Sequence, residues 1–131
     1  DEEMRRQALL AIGALRNPAA VPHLLKILNQ KDFWGRDIET KKDIIRALGE
    51  IGSTEAIEDL VDLLSRRRLW RRGKFNVLRA NAAWALGEIG SPEALPALEK
   101  AVDDNSPDVV RMAAQALKQI RREKNATGTA D

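Results

Sequence analysis

A chain of 131 residues with 44% apolar, 32% charged and only 4% aromatic side chains is expected to form one domain, packed by Ala, Leu and Ile in helices. The absence of cysteine and the single histidine, His23, exclude a disulfide framework, a thiolate zinc site and a Cys nucleophile, and argue against His-based metal or triad chemistry. The net charge of +2 demands no polyanionic partner, but residues 1–65 hold 9 basic and 12 acidic side chains against 13 and 8 in residues 66–131, so a local basic feature sits in the second half.

Apolar spacing of three and four residues predicts seven helices in chain order, over 3–15, 18–29, 37–50, 54–66, 76–89, 92–103 and 107–122; no segment alternates with period two. In the first of these, Met4, Ala8, Leu9, Leu10, Ala11, Ile12 and Leu15 cover more than one face. That predicts packing against another repeat, another domain or a second copy, so self-association through the N-terminal helix is one expectation. The segments AIGALRNPAAVPHLLKIL (11–28), ALGEIGSTEAIEDLVDLL (47–64) and ALGEIGSPEALPALEKAV (85–102) align without gaps, and a fourth copy begins at ALKQI (116–120). Each unit reads as two helices. The first is rich in small residues and ends near glycine, as at Gly49 to Gly52 and Gly87 to Gly90. The second starts after Ser-Thr or Ser-Pro, with Ser91 as N-cap and Pro92 at the first helical position. One pair cannot bury its apolar face alone, so stacking supplies the core. The units fall near 3–36, 37–75 and 76–106, with a half unit at 107–123, together a solenoid over 1–124. The small polar tail 125–131 is expected to be disordered.

ALGEIGSPEALPALEKAV followed by DDNSPDVVRMAAQAL resembles the HEAT-like repeat of the phycobilisome-lyase type, across residues 3–123. The resemblance implies an all-α fold, a right-handed α-solenoid of stacked helix pairs. Proteins with similar repeats are mostly binding scaffolds; some belong to bilin lyases and some related solenoids handle DNA. The motif specifies fold and says little about function.

The departures from the repeat carry the functional reading. Repeat starts at 11, 47, 85 and 116 are 36, 38 and 31 residues apart, and both additions fall between a second helix and the next first helix. The first contains KDFWGRDIE (31–39) and the second SRRRLWRRGKFN (65–76). Equivalent loops of a solenoid emerge along one edge, about 8–10 Å apart. Phe33, Trp34 and Arg36 are therefore expected beside Arg66, Arg67, Arg68, Trp70, Arg71, Arg72, Lys74 and Phe75, which form the candidate partner-binding set. Arginine forks pair with carboxylates or phosphates, and Trp with Arg is the usual make-up of an interface hot spot. Two readings of Trp34 and Trp70 stand together: partner anchors, or side chains tucked under their own loops. Trp84 is expected near the surface, packed on a neighbouring repeat or a long loop. His23 aligns with Asp59 and Ala97 on the second helices, and nearly one turn along Lys26, Asp62 and Lys100 form a strip of alternating sign, unsuited to tracking phosphates.

Gly-x-x-Gly here ends helices, and no phosphate-loop or dinucleotide fingerprint is present. The expectation is a non-catalytic protein-interaction module without cofactor or metal, part of a larger protein, that binds an acidic or carboxylate-bearing partner. The alternative is nucleic-acid binding through the Arg66–Lys74 cluster with stacking by Trp70 or Phe75. No run approaches the ~20 apolar residues of a membrane span and no signal peptide is visible, so the default setting is cytoplasmic. A chain opening at Asp1 is expected to be an excised or processed domain.

Overall fold

Asn17, Ser53 and Ser91 each turn a side-chain oxygen onto the backbone N–H two residues on, at 3.0, 3.3 and 3.3 Å. This satisfies a donor that the start of a helix leaves unpaired. In all three places a single 3-10 turn follows, and an α-helix continues from it. The computed structural model describes residues 1–32, 35–66 and 72–128. Among these residues there are seven α-helices and no strand: α1 (Glu2–Leu15), α2 (Val21–Leu28), α3 (Ile38–Ile51), α4 (Ile57–Ser65), α5 (Arg72–Ile89), α6 (Leu95–Ala101) and α7 (Pro107–Gly128).

The first helices α1, α3, α5 and α7 stack in one row, while α2, α4 and α6 pack mainly against the first helix that follows each of them. The chain is thus an α-solenoid of stacked pairs. Its core runs between the two rows, with Val21, Ile44, Leu48, Leu60, Leu64, Leu86, Leu98 and Ile120 fully buried. Small residues bring the first helices together: a Cβ added to Gly87 would lie 2.9 Å from the Cα of Ala116, so α5 and α7 touch backbone to backbone. Trp84 is half-buried and lies over Gly49 of α3, where an added Cβ would come within 2.7 Å of its ring. It packs on the neighbouring repeat, one of the two expected places.

Two helices exceed their expected limits by a turn or more. α5 begins at Arg72, not 76, because Phe75 and Leu78 extend its apolar face by a turn and both are buried. Gly73, inside the expected second loop 65–76, lies within that first turn. α7 continues to Gly128, so residues 125–128 of the expected tail are helical; Thr127 contributes by donating its hydroxyl to the carbonyls of Glu123 and Lys124.

Candidate partner-binding edge

The second helices end, and the next first helices begin, along one edge of the solenoid. Two cations at the same repeat position organise that edge. Lys41 of α3 donates from Nζ to the carbonyl of Gln30 at 2.6 Å, and Arg79 of α5 donates from Nε to the carbonyl of Leu64 at 2.9 Å. Each closes the C-terminal end of the preceding second helix, where carbonyls lack intrahelical partners and a positive charge is favoured. In α7 the same position holds Val110.

Arg79 does more than cap. It is 4% exposed and donates to Asn76 Oδ1 at 3.0 Å and to Asp104 Oδ1 at 3.1 Å, while its second terminal nitrogen bonds Asp104 Oδ2. Asp104 also accepts the Ser106 backbone N–H at 2.9 Å. One guanidinium therefore joins the end of α4, the body of α5 and the loop between α6 and α7. Sequence reasoning passed over this pair. The available signal was an arginine on the face that carries Phe75, Ala82 and Leu86, where an unpaired charge would be untenable.

The first lengthened loop turns on Asp32. Its carboxylate accepts the backbone N–H groups of Arg36 at 3.0 Å and Asp37 at 2.9 Å, which folds the chain into the start of α3. Burial pushes the Asp32 carboxyl up. The N–H donors of Asp37 and Arg36, the Lys41 charge and the Gly35 N–H outweigh it and hold the group below its ordinary value of 3.8. Gly35 follows with a φ of 67°, a left-handed conformation suited to glycine.

A cavity of about 270 Å³ lies between the two lengthened segments, lined by Gln30, Lys31, Asp32 and Lys41 on one side and Arg66, Phe75 and Leu78 on the other. Of the residues expected at a binding site, Arg36, Arg66, Arg72 and Lys74 are exposed. Phe75 is 5% exposed and packs in the core while lining this cavity. Phe33, Trp34, Arg67, Arg68, Trp70 and Arg71 lie outside the described residues. Arg72 and Lys74 occupy the first turn of α5, which carries no acidic residue. Cations there oppose the helix dipole and leave that end strongly attractive to anions.

A second groove, about 400 Å³, opens on the row of first helices, with Trp84, Val77 and Met112 beside Arg46, Asp108 and Arg111. His23, Lys26, Asp62 and Lys100 are exposed along the second helices. Among the described residues, no group of three or more His, Asp or Glu side chains could hold a metal ion. No helix among them is long and apolar enough to cross a membrane.

A row of helix pairs that bury a core only by stacking, with cavities along its edges, defines a repeat scaffold. The chain belongs to the HEAT repeats family, whose profile matches residues 1–74 and again residues 68–127. The match is to HEAT repeats at large and does not assign the phycobilisome-lyase subtype. No curated protein matches the sequence. HEAT repeats generally serve as protein-interaction scaffolds.

Proposed function

We propose that this chain is a non-catalytic interaction module that holds an acidic or carboxylate-bearing protein at its lengthened loops, 31–39 and 65–76. The cavity of about 270 Å³ that both loops line carries this reading. Exposed Arg36, Arg66, Arg72 and Lys74 support it by surrounding that edge with guanidinium and ammonium donors. Trp34 and Trp70, one per loop, would supply the apolar anchors that fix such a contact. The first turn of α5 adds the positive end of the helix dipole to the cations, which suits a carboxylate.

The test compares the parent chain with a variant carrying Arg66→Ser, Arg72→Ser, Lys74→Ser, Trp34→Ala and Trp70→Ala, each used to capture partners with and without nuclease. A protein retained by the parent, indifferent to nuclease and lost by the variant is the expected result. Each Trp substitution alone should then weaken binding of that protein by about 2 kcal/mol. Loss of all capture on nuclease treatment would give the basic cluster to nucleic acid instead. Equal capture by both chains would remove the site from this edge.

A further inference from the structure

The row of first helices is built on one repeated contact. A Cβ on Gly13, Gly49 or Gly87 would lie 3.2, 3.1 or 2.9 Å from the Cα of Ala47, Ala85 or Ala116, so a glycine of each helix seats an alanine of the next. Around each seated alanine, the residues three and seven positions before it and four after it share the same face. That face is wholly or partly covered in every later repeat: Ile44, Ala82, Ala113 and Ile120 are wholly buried, and Thr40, Ile51 and Ile89 half-buried. In α1 the same register holds Met4, Ala8, Ala11 and Leu15. All four are exposed, Met4 at 71% and Leu15 at 77%. Arg5 stands at the position from which Lys41 and Arg79 cap a preceding second helix, and it too is exposed. At the far end of the row the glycine position is taken by exposed Lys118, so α7 offers no seat for another alanine.

We infer that the Met4–Ala8–Ala11–Leu15 face of α1 is the receiving half of a repeat interface. Its occupant is a further helix pair of the same repeat, presenting glycine opposite Ala11 and the end of its second helix to Arg5. Continuity with the three interfaces already formed carries the assignment, because α1 keeps the small residue that all three use and the cation that two of them use. End-on stacking of a second copy does not satisfy it, since that copy would present Lys118 where glycine is required. The inference is independent of the loop site.

The register also supplies the experiment. Asp1 accepts the Glu3 N–H and Ser106 the Val109 N–H, each at the start of a first helix and at equivalent repeat positions. A duplicate of residues 72–105 fused directly ahead of Asp1 therefore brings a second Gly87 over Ala11. Hydrogen peroxide oxidation of Met4 is followed by mass spectrometry, with half-buried Met112 as internal reference. In the fusion Met4 should oxidise about tenfold more slowly than in the parent chain, because the covered thioether is shielded from peroxide, and Ala11→Glu in the fusion should restore the parent rate. An unchanged Met4 rate overturns the inference, whether the added pair stays unfolded or folds without covering α1. So does a parent chain that sediments as a dimer with Met4 protected and becomes monomeric on Ala11→Glu, which would give the face to a second copy.

Discussion

Arg79 and Asp32 show how single side chains hold this edge in shape. Arg79 spends its donors on a carbonyl of α4, on Asn76 and on Asp104, and its side chain and that of Asp104 are 5% and 4% exposed. Removing one partner of such a pair strands the other charge, so Arg79→Leu should destabilise the chain by about 3–5 kcal/mol in urea unfolding. Arg79→Lys should recover only part of this, because an ammonium cannot reproduce the forked geometry. A loss under 1 kcal/mol for Arg79→Leu would show that the clamp contributes little. Asp32 gives a pH signature. Its carboxyl is held below its ordinary value of 3.8 in the fold, so its ionised form contributes stability above that value, and the contribution disappears as pH falls through the lower folded value. Asp32→Asn should therefore melt below the parent at neutral pH, and the gap should close as the solution is acidified past 3.8. A gap that stays constant into acid would assign the effect to packing.

At the scale of the elements, close approach competes with helix propensity. Alanine in place of a mid-helix glycine ordinarily stabilises by about 1 kcal/mol. At Gly87 the new Cβ would sit 2.9 Å from the backbone of Ala116, which can move only if α5 and α7 part. Gly87→Ala should consequently be destabilising by about 1–3 kcal/mol. Gly73, in the first turn of α5 with nothing within 4 Å of an added Cβ, is the contrast; Gly73→Ala should leave stability unchanged or raise it by about 0.5–1 kcal/mol. Thermal melts of the two variants decide the matter, and equal shifts would mean the glycine–alanine seat does not set helix spacing. Arg16 illustrates a local rule broken in the same family of positions: it ends α1 at a φ of 53°, where the later repeats use Gly52 and Gly90.

In the whole molecule each repeat touches only its neighbours, so stability should vary along the row. α1 is covered by α3 on one side and open on the other, while α3 and α5 are flanked on both. Hydrogen exchange should therefore release the amides of α1 before those of α3 and α5. Uniform protection across the three helices would show that the chain opens as a single unit.

Much of this architecture is legible in the residues. Helical periodicity, glycine at the ends of first helices and Ser or Asn before second helices are local signals, and they delivered seven helices and the repeat register. The expected loop edge was legible as chain insertions, because a solenoid forces equivalent connections onto one side. What the residues in order do not disclose is which long-range partners meet. Arg79 and Asp104 are 25 positions apart within one repeat unit, and only the packing of the helix pair brings a cation of its first helix over the loop that follows its second. Phe75 lies two residues past Gly73 in a basic run and reads as surface, yet it is buried in the core and the chain winds into another helical turn there. Local conformation follows from backbone and side-chain preferences within a few residues, which is why the sequence by itself determined the elements and their repetition. The buried clamp, the fate of Phe75, the shared cavity and the uncovered face of α1 depend on which surfaces meet after stacking, and only the tertiary structure decided them.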